Sequence, residues 1–86
     1  MFYVYVIKSK KDGTLYIGLT EDLRKRFSEH NQGLSRYTKS RRPFALVYYE
    51  AYASEKDARM RERKLKHFKN SYTELKKRIT HSLDEA

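Results

Sequence analysis

Residues 2–20, FYVYVIKSKKDGTLYIGLT, consist of two β-prone runs separated by Asp12-Gly13. Aromatic and β-branched side chains are frequent in both runs. Asp-Gly is a preferred pair for the type I′ turn of a two-residue hairpin loop, because both positions of that turn need a positive φ. The sequence therefore predicts an antiparallel hairpin with strands over residues 2–9 and 14–20.

A two-residue loop would place Tyr5 opposite Thr20 and would give the hairpin two different faces. One face carries Tyr3, Tyr5, Ile7, Tyr16, Gly18 and Thr20. The other is apolar and carries Val4, Val6, Leu15, Ile17 and Leu19. We expect the apolar face to pack in the core. The first face is then a tyrosine platform with a gap at Gly18, where a backbone or a ligand can approach closely. A one-residue slip would separate Tyr5 from Tyr16.

The composition describes one small domain. The chain has 86 residues, enough for one hydrophobic core and too few for two. It contains no cysteine, which excludes disulfides, thiolate zinc sites and a cysteine nucleophile. The longest apolar run, residues 2–7, is far shorter than the ~18 residues of a membrane span, and no cleavage-site pattern follows it. We expect a cytoplasmic protein and, because nothing in the sequence requires a dimer, a monomer.

Positive charge is the main clue to a partner. Lysine and arginine total 20 against 11 aspartate and glutamate residues, which gives a formal net charge of +9. A compact domain this basic most often binds nucleic acid, since its field attracts phosphates. A basic surface with no such partner is the alternative. A membrane surface is a weaker match, because the cations are spread over loops and several predicted helices.

Downstream of the hairpin the sequence predicts one more strand and three helices. Thr20 caps a first helix over about residues 21–31, and Gly33 ends it. Residues 45–52, rich in Tyr and Ala with Val and Leu, form the third strand. A second helix extends over about residues 54–68.

The C-terminal part begins with Ser71-Tyr72-Thr73-Glu74, which has the pattern of a capping box and predicts a last helix near 75–79. We expect residues 81–86 to be a flexible tail, which leaves a single domain over residues 1–80. The predicted fold class is α+β, with a three-stranded, mostly antiparallel sheet flanked by helices.

One side of the first predicted helix carries both apolar and titratable residues. Leu23, Phe27 and His30 follow helical spacing and form its inner stripe. Arg26 lies four residues before His30, so a guanidinium and an imidazole project beside that stripe. Each has a simpler alternative role: Arg26 as a solvated surface residue, and His30 as a partner of the C-terminal helix dipole.

Glu62 is the most unusual acidic residue, a single carboxylate within a cationic stretch. The inner stripe of its helix runs through Ala58, Leu65 and Phe68. Glu62 lies four residues after Ala58 and should therefore point toward the sheet. An ion pair with Lys66, worth ~0.2–0.5 kcal/mol, is the simple alternative. The functional alternative is a hard cation, since Mg²⁺ is often held by one or two carboxylates plus substrate phosphate.

Other nuclease chemistries fit the sequence poorly. A two-metal site needs several converging carboxylates, and Glu50 is the only other acid expected to point inward. The three histidines, His30, His67 and His81, lack the spacing of zinc ligands. Neither a glycine-rich phosphate loop nor a nucleophile elbow is present.

Taken in order, these residues resemble the GIY-YIG nuclease superfamily, especially its small stand-alone bacterial members. The match covers about residues 2–68. Its elements are Tyr3-Val4-Tyr5, ten residues, Tyr16-Ile17-Gly18, then Leu23-x-x-Arg26-x-x-x-His30-Asn31, and finally Ala58-x-x-x-Glu62. Tyr3 stands where the name-giving glycine would be, which makes the region around Tyr5 bulkier.

The resemblance implies metal-assisted hydrolysis of a phosphodiester, with Mg²⁺ or Mn²⁺ held by Glu62 and the transition state stabilised by Arg26. It also implies Tyr5 as general base, with Tyr16 and His30 orienting it or relaying its proton. A free tyrosine titrates near ~10. We therefore expect nearby positive charge to lower the pKa of Tyr5.

The connection between the first helix and the third strand, residues 33–44, is basic and is closed by Pro43. Its candidate nucleic-acid contacts are Arg36, Tyr37, Lys39, Arg41 and Arg42. The cations would follow the phosphate backbone and Tyr37 would stack on a base. The alternative is a solvated loop with Tyr37 packed inward. Because no separate reading domain exists, we expect DNA, in preference to RNA, to be recognised by its structure and not by its base sequence.

Two other function classes remain open. A nucleic-acid-binding module could keep the fold without turnover, but phosphate binding needs only a basic surface. The joint presence of Tyr5, Arg26 and Glu62 therefore favours an enzyme. An accessory protein whose basic face binds an acidic partner is the second, and it predicts no steep salt dependence of DNA binding.

Overall fold

The computed structural model describes all 86 residues as a three-stranded antiparallel sheet with helices on both faces. The strands are β1 (Phe2–Ser9), β2 (Leu15–Thr20) and β3 (Phe44–Tyr52). The helices are α1 (Leu23–Gln32), α2 (Glu55–His67), α3 (Lys69–Arg78) and α4 (Thr80–Glu85). The strand order is β2-β1-β3, and both pairings are antiparallel. The predicted α+β class is confirmed. None of the helices combines the length and the apolar character needed to cross a membrane.

The two faces of the sheet are both buried, against different helices. One face packs on α2 and α3 through Val4, Val6, Ile17, Ala58, Leu65, Leu75 and Ile79. The opposite face packs on α1 through Tyr5, Ile7, Phe44, Leu23 and Phe27. A fully buried aliphatic side chain stabilises a fold by roughly 1.5–3 kcal/mol, so the first and larger cluster is the main core. The tyrosine face of the hairpin becomes a second core because α1 covers it.

The turn between β1 and β2 has four residues, not the two that Asp-Gly predicts. The Ser9 N–H donates to the Thr14 carbonyl at 2.8 Å, and Gly13, with φ of 77°, donates to the Ser9 carbonyl at 2.9 Å. The Ser9 hydroxyl accepts the N–H groups of Lys11 and Asp12 at 3.1 and 3.2 Å. These bonds satisfy the backbone of a wider loop, and the type I′ prediction is wrong.

The strand register moves by two residues as a result. Tyr5 lies opposite Gly18 and not opposite Thr20, while Ile7 lies opposite Tyr16. Because side chains alternate with a period of two, an even shift leaves every side chain on its predicted face. The predicted pairing was therefore wrong, and the predicted faces are confirmed.

Helix α1 begins two residues later than predicted, because its N-cap is Asp22. The Asp22 side chain accepts the N–H of Lys25 at 3.1 Å. The Thr20 hydroxyl, predicted as the cap, instead accepts the N–H of Asp22 at 3.1 Å. Gly33 ends the helix with φ of 80°, as predicted.

The end of α1 is fixed to the start of β3. The Asn31 amide donates to the Phe44 carbonyl at 3.2 Å and accepts the Phe44 N–H at 2.7 Å. Between them the basic connection folds into a single 3₁₀ turn over Lys39–Arg41, followed by a cis peptide bond at Arg42-Pro43. The connection is thereby held across the end of the sheet.

Phe68 separates α2 from α3. Its backbone is extended, with φ of −114° and ψ of 107°, and its side chain is exposed where the sequence predicts an inward position. Helix α3 already begins at Lys69, so Ser71 lies inside the helix and the predicted capping box is wrong. The chain turns at Phe68, before the capping-box residues are reached.

Residues Thr80–Glu85 form a short helix, α4, where the sequence predicts an irregular tail. The Lys8 ammonium donates to the Leu83 carbonyl at 2.7 Å and links this helix to β1. The predicted flexibility of residues 81–86 and the domain boundary near residue 80 stay predictions.

Candidate active site

Tyr5 and His30 meet between β1 and α1. Tyr5 is 1% exposed and His30 is fully buried. The Tyr5 hydroxyl and His30 Nε2 lie 2.8 Å apart and share a hydrogen bond. His30 Nδ1 shares a second one with Thr38 Oγ1, 2.7 Å away. His30 is therefore the middle member of a buried chain, not a surface group that only complements the helix dipole.

The two pKa shifts at this contact have the same physical origin. Burial lowers the pKa of His30, and the neighbouring Arg26 lowers it further, so the imidazole is neutral at neutral pH. Burial raises the pKa of Tyr5 to about 12, although the Arg26 guanidinium acts in the opposite direction. The expectation that nearby positive charge lowers the pKa of Tyr5 is therefore wrong. Burial of the phenolate raises this pKa by more than the Arg26 guanidinium lowers it.

Gly18 provides the space that the Tyr5 ring occupies. A Cβ built on Gly18 would overlap the hydroxyl and ring carbons of Tyr5. The φ of Gly18 is not positive, so the position needs a small residue and not a special backbone conformation. The close approach predicted at Gly18 is thus made by the side chain of Tyr5.

Tyr16 and Glu62 reach the same region from β2 and α2. The rings of Tyr16 and His30 pack edge to face with their centroids 5.2 Å apart. Lys66 lies between Tyr16 and Glu62: its ammonium is 5.9 Å from the Tyr16 ring centroid and 3.0 Å from Glu62 Oε2. The Glu62 side chain is 21% exposed, and its charge acts to raise the pKa of Tyr5. Glu62 thus faces the protein, as predicted, and also forms the ion pair with Lys66.

Arg26 is held at the rim of this group. Its guanidinium donates to the Glu29 carboxylate at 3.1 Å and to the Ser35 hydroxyl at 3.5 Å. One third of the side chain is exposed, and the guanidinium lies close enough to Tyr5 to favour the ionised phenol. It is anchored from two sides with donors left over, so it is more than a solvated surface residue.

The fold therefore brings together Tyr5, Tyr16, Arg26, His30 and Glu62. None of them lines the largest cleft, about 700 Å³, which lies between β3, α2 and α3 on the other face of the sheet. Glu50 lines that distant cleft, where its carboxylate accepts from the Tyr48 and Tyr52 hydroxyls and pairs with Arg61 at 3.0 Å. Glu50 points inward, as predicted, but away from the five residues.

The donor set suits a metal held by one carboxylate. Nowhere do three or more His, Cys, Asp or Glu side chains converge. Lys66 Nζ forms an ion pair with Glu62 Oε2 at 3.0 Å, and no residue other than Lys66 contacts the Glu62 carboxylate oxygens through a hydrogen bond or ion pair. A carboxylate with free lone pairs fits Mg²⁺ or Mn²⁺ that takes its other ligands from water and substrate phosphate.

The basic connection is exposed beside these residues. Arg36, Lys39, Arg41 and Arg42 all face solvent, and Tyr37 is 81% exposed. The alternative that Tyr37 packs inward is therefore wrong. The buried Ser9 hydroxyl donates to the Arg41 carbonyl at 2.7 Å, which joins the connection to the β1–β2 turn with its exposed Lys10 and Lys11. We call residues 10–11 and 36–42 the basic ridge.

Sequence reasoning missed three polar residues that shape the site. Thr38 and Ser35, in the basic connection, are 2% and 5% exposed and bond to His30 and Arg26. Ser9 joins the two halves of the basic ridge. Ser35 and Thr38 are single hydroxyl residues in a basic loop, where no helical or strand periodicity indicates burial. The only sequence signal was that they are uncharged residues among exposed cations.

The fold and this arrangement of tyrosines, arginine, histidine and glutamate define a GIY-YIG-type nuclease domain. Residues 1–79 match the family described as the GIY-YIG catalytic domain, and the chain belongs to that family. UPF0213 proteins of Staphylococcus saprophyticus and Staphylococcus aureus are 45% and 42% identical over 67 and 76 residues. The alignments cover 77% and 87% of this chain and 80% and 87% of those proteins.

A solved structure has the same fold. The solution NMR structure of a UPF0213 protein of Bacillus halodurans is 36% identical to this chain, with a TM-score of 0.54. The match covers 87% of this chain and 81% of that one. The predicted resemblance to small stand-alone bacterial members of the superfamily is confirmed.

Proposed function

We propose that the protein is a metal-dependent endonuclease that hydrolyses phosphodiester bonds in DNA and selects its substrate by structure. The meeting of Tyr5, Arg26 and Glu62, three groups from three separate elements, carries this proposal. A module that only binds nucleic acid needs exposed cations. It has no need of a buried phenol beside a guanidinium and an inward carboxylate.

Each residue has a role in the proposed reaction. Tyr5 takes the proton of the attacking water, and Tyr16 and His30 hold its ring and hydroxyl in place. Arg26 donates to the phosphate oxygens as their charge grows in the transition state. Glu62 would hold Mg²⁺ or Mn²⁺, which when bound polarises the phosphate and stabilises the leaving oxygen.

The basic ridge is the proposed track for the nucleic-acid backbone. It begins at Arg36, one residue after the Ser35 that contacts Arg26, and it ends at the β1–β2 turn. Its cations are exposed, with Arg41 also paired with Asp12 at 3.7 Å, and the exposed ring of Tyr37 can stack on an unpaired base. This surface favours flaps, ends and single strands, because its cations can contact phosphates and Tyr37 can stack on unpaired bases.

A cleavage assay on labelled duplex, flap and single-stranded DNA and on RNA tests the proposal, each with Mg²⁺, Mn²⁺ or chelator. We expect cleavage of flap or single-stranded DNA that the chelator stops. Tyr5→Phe and Glu62→Gln should each lose about 100-fold or more in rate while keeping DNA affinity. Tyr49→Phe and Glu74→Gln, both exposed positions outside the basic ridge, are the matched controls and should cleave like the parent.

Two outcomes would contradict the proposal. Tight, salt-sensitive DNA binding without cleavage of any substrate in either metal would identify a non-catalytic nucleic-acid-binding module. Full activity of Tyr5→Phe would remove Tyr5 from the role of base.

A further inference from the structure

Leu34 and Tyr37 are exposed apolar side chains in an otherwise basic loop. They are 66% and 81% exposed, more than any other large apolar residue of the chain. A single exposed apolar residue is common on a protein surface. These two, however, lie three positions apart, with Arg36 between them and Lys39 just beyond. The loop therefore presents a pair of apolar side chains among positive charges.

The loop is anchored from inside by the two residues that alternate with this pair. Ser35 and Thr38 are 5% and 2% exposed. Their hydroxyls lie 3.5 Å from the Arg26 guanidinium and 2.7 Å from the His30 ring. The same short segment thus sends two hydroxyls into the candidate active site and two apolar side chains into solvent.

Backbone hydrogen bonds hold both ends of the segment. The Leu34 N–H donates to the Glu29 carbonyl at 3.0 Å, and the Lys39 N–H donates to the Ser35 carbonyl at 3.0 Å. Because the backbone around Leu34 and Tyr37 is already ordered, little loop entropy is lost when these side chains contact a ligand. The pair is a preorganised contact surface and not a flexible loop tip.

Apolar side chains among cations suit one structural feature of DNA, the junction between a duplex and an unpaired strand. The cations can contact phosphates on both sides of a junction. The last base pair offers one uncovered face, and the first unpaired base offers a face for stacking. Leucine and aromatic side chains are among those that proteins insert between base steps. A continuous duplex covers its base faces, and a single strand has no terminal base pair, so neither offers both contacts.

We propose that Leu34 and Tyr37 form a wedge at this junction, with Leu34 packed on the last base pair and Tyr37 stacked on the first unpaired base. Three residues of chain span at most ~10 Å, so the two side chains can reach neighbouring bases. The inference rests on the proposed function and deepens it, because it names the feature of the substrate that is recognised. The cations of the basic ridge supply affinity, and the wedge supplies the preference for a junction.

The position of the wedge also sets where the strand is cut. Ser35 and Thr38 of the same segment contact Arg26 and His30, so the wedge lies beside the candidate active site. The scissile phosphate is therefore within a few nucleotides of the junction. The distance between cut and junction is fixed by the protein and not by the base sequence.

Binding in chelator tests the wedge without cleavage. Fluorescence anisotropy compares a tailed duplex with a continuous duplex and a single strand of the same sequence. We expect the parent to bind the tailed duplex about tenfold or more tighter than either of the others, since one stacked base contributes this much. Leu34→Ala with Tyr37→Ala should lose about tenfold or more on the tailed duplex and change affinity for the continuous duplex by less than about twofold.

Two control variants separate the wedge from other contributions. Met60→Ala removes a 56% exposed apolar side chain from α2, outside the loop, and should bind all three DNAs like the parent. Arg36→Ala with Lys39→Ala removes phosphate contacts and should weaken binding to tailed and continuous duplexes by the same factor. Thermal unfolding of each variant checks that the fold is intact.

A fluorescent base locates the contact. 2-Aminopurine at the first unpaired position should be quenched when the parent binds, because its ring stacks on Tyr37. The quench should persist in Tyr37→Phe, which keeps the ring, and disappear in Tyr37→Ala. The same base placed well inside the duplex should show no change. With metal present, moving the junction along a fixed sequence should move the cut by the same number of nucleotides.

Equal affinity of the parent for tailed and continuous duplexes would overturn the inference, and this measurement does not depend on any variant. An equal loss on both DNAs in the Leu34, Tyr37 double variant would also overturn it, as would an unquenched junction base or a cut that stays with the sequence. The binding and fluorescence measurements need no metal. A protein that shows the junction preference but cuts nothing in either metal would therefore contradict the proposed nuclease function alone.

Discussion

The ring of Tyr5 occupies the volume that a side chain at position 18 would need. It cannot retreat freely, because its hydroxyl is bonded to His30 and its ring is packed in the second core with Ile7 and Phe44. We expect Gly18→Ala to lower the free energy of unfolding by about 1–3 kcal/mol, the usual cost of overpacking. Cleavage should fall as well, since the displaced hydroxyl loses its bond to His30.

Gly13→Ala is the matched control for this effect. Gly13 has φ of 77°, but a Cβ there would meet only the Lys8 side chain, at 4.0 Å. The substitution should therefore cost about 1–2 kcal/mol in backbone strain and leave cleavage unchanged. Chemical denaturation and the cleavage assay measure both effects. Parent-like stability and activity of Gly18→Ala would show that the Tyr5 ring moves without penalty.

At the scale of elements, Glu50 joins the edge strand β3 to α2. Its carboxylate accepts from the Tyr48 and Tyr52 hydroxyls and pairs with Arg61. Burial acts to raise the pKa of Glu50, but the hydrogen bonds from Tyr52, Tyr48 and Arg61 outweigh it and hold the pKa below its usual value. A carboxyl with a lowered folded pKa stabilises the fold above its unfolded pKa and loses that contribution as pH falls through the folded pKa.

Glu50→Gln should therefore destabilise the protein at neutral pH and matter little in acid. We expect a loss of about 1–3 kcal/mol near neutrality, because Arg61 is left without its counter-charge. The difference from the parent should shrink as pH falls through the lowered pKa of Glu50, where the carboxyl becomes protonated. Glu74→Gln, on an exposed side chain next to the same cleft, is the control and should change stability little at any pH. Urea unfolding across pH measures all three proteins, and a constant difference down to the lowest pH would contradict the assignment.

The elements were predictable wherever a periodic pattern governs them. The alternation in β1 and β2 placed Tyr5 and Tyr16 on one face, and helical spacing placed His30 against them. The prediction failed where one hydroxyl or carboxylate overrides a local signal. Ser9 satisfies the N–H groups of a wider turn, and Asp22 takes the cap expected of Thr20. Such bonds depend on distances that a linear pattern does not contain.

The candidate site was predictable to the same extent: its residues could be identified from the sequence, but the contacts between them could not. The residue types and spacings, together with the resemblance to the GIY-YIG superfamily, indicated Tyr5, Arg26 and Glu62. The raised Tyr5 pKa could not be predicted, since it depends on how completely α1 and the connection exclude water. The bond from Thr38 to His30 also needed the folded connection, because eight residues separate the two in sequence.

At the scale of the whole molecule, the distribution of charge matters more than its total. Six ion pairs engage acidic residues, and the formal net charge is +9. The basic ridge lies beside Tyr5, Arg26 and His30, whereas α3, with Lys76 and Lys77, packs on the opposite face of the sheet. A nucleic acid held for cleavage should therefore contact the basic ridge. Helix α3 should contribute only long-range electrostatic attraction, without direct phosphate contacts.

Salt dependence of DNA binding distinguishes these contributions. Counterion release makes the logarithm of affinity fall linearly with the logarithm of salt concentration, and each phosphate contact removed lowers the slope by about 0.7 for a single strand. Arg36→Ala with Lys39→Ala should reduce the slope by about 1.4. Lys76→Ala with Lys77→Ala removes the same net charge from α3 and should leave the slope nearly unchanged. Fluorescence anisotropy at several salt concentrations measures both double variants. Equal slopes in the two would mean that only total charge matters, and a flat dependence in the parent would favour an accessory protein with an acidic protein partner.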